Sequence, residues 1–197
     1  MADLHHNQTR TRILEAAEAL FTRRGYAAVR LRDIAAAVGM RHASLYYYVP
    51  GGKEQLFIEV LEHCFERHRQ GLTAAIAGAG DDLQLQIYAV ADWLVSQPPI
   101  DATRMVQADM PAIDAAHAER LMTLSYNALR EPIVTALLPA QAAGQVNLPD
   151  LNMAAMALVS LVQSVHSIPP QYLDVAPVQI GRQLADMLLH GWLERQR

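Results

Sequence analysis

Residues 41–48 concentrate side chains that can bind a polar partner within one short helical segment. The segment reads RHASLYYY and carries a guanidinium, an imidazole, a hydroxyl and three consecutive phenols. Leu45, followed four residues later by Val49, gives it a narrow apolar side. One or two of the tyrosines can pack as amphipathic core residues. A purely structural helix does not need three in a row, so the segment favours contact with an external partner.

The chain just before this segment supplies the element that would position it. Leu31, Ile34, Ala35 and Val38 form an apolar stripe at helical spacing. Gly39 follows, where a helix end takes a left-handed residue. Helix, glycine turn and helix together are typical of a helix-turn-helix unit. In such a unit the second helix enters the DNA major groove, and its early residues meet the base edges.

Further residues flank this unit in a fixed order. They are Ile13-Leu14-Glu15-Ala16-Ala17, Leu20-Phe21, Gly25-Tyr26, Asp33-Ile34-Ala35, Val38-Gly39, Leu45-Tyr46-Tyr47, Lys53-Glu54 and Leu56-Phe57. In this combination residues 9–62 resemble the DNA-binding domain of the TetR family of bacterial transcriptional regulators. The resemblance implies an all-α protein, with an N-terminal three-helix helix-turn-helix DNA-binding domain at residues 1–52. A C-terminal helical bundle at residues 53–197 would then serve dimerisation and ligand binding.

The motif and the resemblance together predict a set of DNA-contacting residues. They are Arg30, Arg32, Arg41, His42, Ser44, Tyr46, Tyr47 and Lys53. Arg30 and Arg41 stand where the family usually caps its two helices with a hydroxyl, a cap worth about 1 kcal/mol. Each brings instead a guanidinium that can contact phosphate or read guanine. One more glycine than the family usually has precedes Lys53, which puts the phosphate contact of that lysine in question.

Charge is distributed unevenly along the 197 residues, whose net charge is −4. Residues 1–53 hold eight basic and four acidic residues, and the remainder holds eight basic and sixteen acidic ones. A basic N-terminal module suits phosphate binding, while an acidic remainder is repelled by DNA. The single cysteine, Cys64, cannot form an internal disulfide, and there is no signal-peptide or membrane-span pattern. These features favour a cytoplasmic protein.

Periodicity predicts helices throughout the rest of the chain and no strand. The predicted ranges are Thr9 to Gly25, Lys53 to Ala77, a helix capped by Asp81 or Asp82 and ending before Pro98, Ala102 to Asp109, Asp114 to Leu138, Asn152 to Ile168, and Pro177 to Glu194. Residues 139–151 are predicted to form a loop. The last two helices are apolar over wide faces, as expected for a two-fold four-helix interface.

A small-molecule pocket in this C-terminal part is a weaker prediction. Its candidate residues are large, adaptable or half-polar: Trp93, Met105, Met110, Met122, Tyr126, Gln163 and His166. Each of them can equally be an ordinary core residue. Ser160, Gln163 and His166 make one polar stripe, which either lines the pocket or forms hydrogen bonds across a dimer.

The leading hypothesis is an effector-responsive transcriptional regulator. It would bind a palindromic double-stranded DNA operator as a homodimer, most simply as a repressor released by a small hydrophobic ligand. The alternative is a helix-turn-helix dimer without a small-molecule effector, regulated by a protein partner. Catalytic motifs such as a nucleophile elbow, a P-loop or a dinucleotide fingerprint are absent, so no enzyme and no cofactor is predicted. Cys64 and His68 have ligand spacing but are only two, so no metal site is predicted.

Overall fold

A computed structural model describes the backbone of residues 2–192 and the side chains of residues 6–191. Within that range the chain forms nine α-helices joined by short turns, and it contains no β-strand. The helices are α1 (Ala2–Ala28), α2 (Leu31–Ala37), α3 (His42–Tyr48), α4 (Gly52–Gly78), α5 (Leu83–Ser96), α6 (Ala102–Arg104), α7 (Ala115–Ala142), α8 (Leu151–Gln163) and α9 (Pro177–Trp192). The predicted all-α class is therefore confirmed. No helix in this part of the chain is long and apolar enough to cross a membrane.

Several predicted helix ends need correction. Helix α1 begins at Ala2 instead of near Thr9. Helix α7 continues through Pro139 to Ala142 and does not end at Leu138. Pro139 removes one amide donor from the helix but does not end it. Helix α8 stops at Gln163 and tightens into a 3₁₀ turn over Ser164–Ser167. The predicted end of the last helix at Glu194 lies outside the described residues.

The chain divides into two compact units, neither of which is continuous in sequence. The first comprises Met1–Cys64 and Ile100–Leu124, and the second comprises Phe65–Pro99 and Ser125–Arg197. The sequence analysis predicted a functional division after residue 52, and that boundary stays a prediction. Segment 100–124 was assigned to the C-terminal bundle, whereas here it clusters with the N-terminal helices.

The first unit is built on a core of aliphatic and aromatic side chains from α1 to α4. Ile13, Ile34 and Leu45 are fully buried, one from each of the first three helices. The Phe57 ring of α4 lies edge-on to Phe21 of α1, with centroids 5.0 Å apart. This core fixes α2 and α3 against α1, and so determines which side of α3 faces solvent.

The second unit packs α9 against α5 and α8 through small and branched apolar residues. Ala91 of α5, Val162 of α8 and Ala185 of α9 are fully buried. Polar contacts flank this core: Arg182 donates from Nε to Asp92 Oδ1 at 2.7 Å, and the Tyr88 hydroxyl donates to Asp186 at 2.6 Å. Asp82 caps α5 by accepting from the Leu85 amide at 2.9 Å, as one of the two predicted caps should.

Helices α4 and α5 approach each other closely at one glycine. A β-carbon placed on Gly71 would lie 1.9 Å from Cζ2 of the Trp93 ring. Because a side chain cannot fit there, the indole lies directly on the α4 backbone. Gly78, at the end of the same helix, has open space around it.

Gly71→Ala should therefore lower the free energy of unfolding by about 1–3 kcal/mol, since the Trp93 ring or the helix must move. Gly78→Ala is the matched control. It should change stability by less than about 1 kcal/mol, in the stabilising direction, because alanine favours the helix and meets nothing. Urea unfolding followed by circular dichroism measures both. Equal stability of the two variants would contradict the close packing at Gly71.

Candidate nucleic-acid interface

The turn between α2 and α3 has the geometry that the helix-turn-helix pattern predicts. Gly39 adopts φ +73°, the left-handed conformation that ends α2, and the Met40 amide donates back to Ala35 O at 2.8 Å. Leu45 and Val49 are buried and hold α3 on the core. The remaining sides of this seven-residue helix are left open to solvent.

The exposed side of α3 carries most of the predicted DNA-contacting residues. Arg41, His42 and Ser44 are exposed. Tyr46 and Tyr47 are 49% and 74% exposed. The His42 and Tyr46 rings meet edge to face at 5.2 Å, so they form one continuous aromatic surface. Phenol, imidazole and guanidinium groups on one helix side can stack on bases, donate to base edges and bind phosphate.

Arg30 and Arg32 lie at the start of α2, and both are exposed. The Arg30 amide donates to the Asp33 carboxylate at 2.9 Å. This is the contact that the third helical residue makes to the N-cap amide in a capping box. Neither Arg30 nor Arg41 caps its helix with its own side chain. Both guanidinium groups are therefore free of a capping role, as the sequence analysis expected.

Two other arginines, Arg10 and Arg12 of α1, form hydrogen bonds to neighbouring helices of the domain. Arg10 donates to Tyr48 O at 2.6 Å, at the end of α3, and also pairs with Glu59 of α4. Arg12 donates to Val38 O at 3.1 Å, at the end of α2. Cations are favourable at helix C-termini, where backbone carbonyls lack partners. These two side chains therefore link α1 to the C-terminal ends of α3 and α2.

Lys53 lies in the first turn of α4, directly after Gly52, which is the extra glycine and has φ +73°. Its ammonium donates to Tyr26 O at 3.0 Å and lies 3.9 Å from the centre of the Tyr26 ring. Partial burial lowers the pKa of the Lys53 ammonium below its usual value. The lysine is thus held against the domain by a carbonyl and a cation–π contact, and it stays half-exposed.

A buried carboxylate that contacts the last turn of α1 was not predicted from the sequence. Asp109, in a π-helical turn over Met105–Asp109, is 6% exposed and accepts from the Tyr26 amide at 2.7 Å. Arg104 lies 3.4 Å from the same carboxylate and donates to Thr22 O at 2.8 Å, near the end of α1. Gly25, with φ +75°, breaks α1 at this contact. The signal available beforehand was an Arg and an Asp five apart in a short helical segment.

The predicted ligand-binding residues are divided between the two units. Met105, Met110 and Met122 belong to the first unit, where the first two are buried, while Trp93, Tyr126, Gln163 and His166 belong to the second. Tyr126 is 45% exposed beneath the Arg130 guanidinium. His166 lies 3.3 Å from Leu94 O. Ser160 is exposed and Gln163 is half-buried. These positions remain predictions as ligand contacts.

The second unit instead has a groove of about 680 Å³ at the far ends of α4 and α7 and the start of α5. Its lining includes Thr73, Ile76, Leu83, Pro132, Ala136 and Pro139. None of the seven predicted ligand residues lines it. Helical periodicity reveals which residues share a face, but it does not reveal where two helix ends leave a gap.

Residues 13–60 match the family model described as bacterial regulatory proteins, tetR family. This segment is a TetR-family DNA-binding domain. It begins within α1 and ends within α4. It includes all eight predicted DNA contacts and the carbonyls to which Arg10 and Arg12 donate. The resemblance noted in the sequence is thereby confirmed.

Two curated relatives are transcription regulators. The HTH-type transcriptional regulator LmrA of Bacillus subtilis is 37% identical over 78 residues, covering 40% of this chain and 42% of that protein. The HTH-type transcriptional repressor NicS of Pseudomonas putida is 29% identical over 135 residues, covering 66% of this chain and 63% of that protein. The matches thus span less than two thirds of either relative's length.

Solved structures share the fold over nearly the whole chain. AibR, solved in complex with isovaleryl coenzyme A and operator DNA, superimposes with a TM-score of 0.74 at 17% identity, covering 92% of this chain and 98% of its own. The fatty acid degradation regulator FadR of Bacillus halodurans gives 0.73 at 16% identity, covering 96% and 97%. At this identity the likeness establishes the TetR-type fold alone.

Asp109→Ala should destabilise the first unit by about 2–3 kcal/mol, because the Tyr26 amide and Arg104 both lose a buried acceptor. Asp101→Asn is the matched control, since Asp101 also faces Arg104, at 3.6 Å, but is half-exposed. Asparagine caps α6 as well as aspartate does, so this change should cost less than about 1 kcal/mol. Urea unfolding compares the two. A loss of the same size in both variants would show that burial of Asp109 is not what matters.

Proposed function

We propose that this protein is a cytoplasmic, non-enzymatic transcriptional repressor that binds a palindromic operator as a homodimer. The observation that carries the proposal is the outward side of α3. Arg41, His42, Tyr46 and Tyr47 are exposed there together, while Leu45 and Val49 bury the opposite side. Large aromatic rings exposed side by side on a helix mark a site of interaction with a partner. The named relatives LmrA and NicS, both helix-turn-helix regulators, support DNA as that partner.

The geometry of α3 supports reading from the major groove. Its N-terminal residues, Arg41 and His42, would meet base edges first, as in other helix-turn-helix units. Arg30 and Arg32 at the start of α2 and Lys53 at the start of α4 would contact phosphates on either side. Arg41 would take the guanine-reading role, because a bidentate guanidinium matches the acceptors of guanine.

Dimerisation is supported by apolar side chains that the second unit leaves uncovered. Met153 of α8 is 69% exposed, and Val178 and Met187 of α9 are 36% and 70% exposed. A second copy that covered these residues would complete a four-helix interface with two-fold symmetry. Two recognition helices would then meet successive major grooves about 34 Å apart.

Effector response is the part of the proposal that rests most on relatives. AibR was crystallised with an acyl coenzyme A and with operator DNA. Here a small ligand would favour one arrangement of the dimer and so lower its operator affinity. A coupling free energy of about 1–3 kcal/mol is sufficient for such a shift.

Fluorescence anisotropy tests the proposal most directly. The full-length protein would be titrated onto the DNA upstream of its own gene and onto a scrambled duplex, across a salt series. Tight, sequence-selective and salt-sensitive binding is the expected result. Equal, weak binding to a tiled set of genomic duplexes would overturn the proposal.

Tyr47→Ala should weaken operator binding at least about tenfold, because the most exposed phenol of α3 is lost from the contact surface. Thermal stability should stay within about 0.5 kcal/mol, as for other exposed positions. Tyr172→Ala provides the control, since Tyr172 is similarly exposed (70%) but lies in a 3₁₀ turn of the second unit. If both variants bind the operator like the native protein, Tyr47 is not a DNA contact.

Lys53→Ala should weaken binding to operator and scrambled duplexes by the same factor. It should also reduce the slope of log affinity against log salt by roughly one phosphate contact. The variant also loses the hydrogen bond to Tyr26 O, so its unfolding must be measured beside its binding. An unchanged salt slope with reduced stability would assign Lys53 to the fold and not to DNA.

A further inference from the structure

The groove of the second unit combines an apolar floor with two carboxylates. Ile76, Leu83, Ala136 and Ala140 provide hydrocarbon surface along it. Asp81 and Glu131 place carboxylates at its rim, and both residues are exposed. A volume of about 680 Å³ is large enough for a typical small organic ligand.

Three of the uncharged polar side chains that line the groove donate to backbone carbonyls. Thr73 Oγ1 donates to Arg69 O at 2.7 Å, and Thr135 Oγ1 donates to Glu131 O at 2.9 Å. Gln86 donates from Nε2 to Gly80 O at 2.6 Å. Each threonine hydroxyl has therefore used its one proton and retains oxygen lone pairs, which accept hydrogen bonds.

Two prolines of α7 belong to the same lining. Pro132 and Pro139 are seven residues apart, so they lie on one side of the helix, and both line the groove. A proline within a helix has no amide hydrogen for the carbonyl four residues earlier. Pro139 therefore leaves the carbonyl of Thr135, itself a lining residue, without its usual helical donor.

Arg69 is the cationic side chain of the lining, and its charge is already compensated. Its Nε and Nη2 donate to the Glu66 carboxylate at 2.8 and 2.5 Å. This contact, with a further hydrogen bond from Gln70, lowers the pKa of Glu66 to about 2, so the carboxylate stays ionised at neutral pH. Glu131 accepts one long hydrogen bond, 3.3 Å, from its neighbour Arg130 and remains 54% exposed. With Arg69 paired to Glu66, the carboxylates of Asp81 and Glu131 give the groove its negative charge.

We propose that this groove binds amphipathic organic cations. The hydrocarbon body would lie on the alanine and proline floor, and a protonated amine would donate to Glu131, Asp81 and the carbonyl oxygen of Thr135. This assignment deepens the effector response proposed above by giving it a site and a ligand class. It predicts that ligand charge, and not only ligand hydrophobicity, decides binding.

Isothermal titration calorimetry on the full-length protein without DNA tests the assignment. Octylamine, octan-1-ol and octanoate share one hydrocarbon chain and carry positive, zero and negative charge at pH 7. Octylamine should bind at least about tenfold more tightly than octanoate, with octan-1-ol between them. Glu131→Gln should weaken octylamine binding several-fold and leave octan-1-ol unchanged. Glu119→Gln, at an exposed glutamate of the same helix outside the groove, should change neither.

Equal binding of octylamine and octanoate, or full octylamine affinity in Glu131→Gln, would overturn the assignment. Ala136→Trp gives a second check, because an indole would fill the floor and abolish binding while circular dichroism reports the fold. If the mass of the protein in solution changes in that variant and octylamine affinity does not, the groove is a contact between copies. Operator binding is measured separately by anisotropy, so a failed groove and a failed regulator give different results.

Discussion

The first unit depends on the burial of one carboxylate, Asp109. An ionised group removed from water is strongly unfavourable unless hydrogen bonds and an opposite charge replace its hydration. The Tyr26 amide and Arg104 supply both. The same arginine donates to the carbonyls at the end of α1, so segment 100–112 and α1 stabilise each other. Gly25 is the residue that allows it, because its β-carbon would lie 3.1 Å from the Asp109 carboxylate.

Five arginines near α2 and α3 divide into two groups by what they contact. Arg10 and Arg12 donate to carbonyls at the ends of α3 and α2. Arg30, Arg32 and Arg41 are exposed, and neither Arg30 nor Arg41 caps its helix. The basic character of the N-terminal residues thus has a structural part and a part left for phosphate.

Sequence reasoning succeeded where local rules decide the structure. Gly39 ends α2, Asp82 caps α5, and Leu45 with Val49 anchors α3, each as periodicity and capping preferences predict. It did not find Asp109 or the groove, because both depend on contacts between residues far apart in the chain. Its ligand candidates, Met105 and Trp93 among them, stay predictions, since a helical pattern identifies a face but not the neighbour that the face meets.

The contact between Trp93 and Gly71 gives the second unit a built-in optical reporter. The chain has two tryptophans, and the indole Nε1 of Trp93 is buried without a hydrogen-bond acceptor among the described residues. An indole in such apolar surroundings emits at shorter wavelength than one in water. Any movement of α4 that uncovers the ring therefore shifts its emission to the red. The helix pair that excludes a side chain at position 71 can thus be followed by light, in the unlabelled protein.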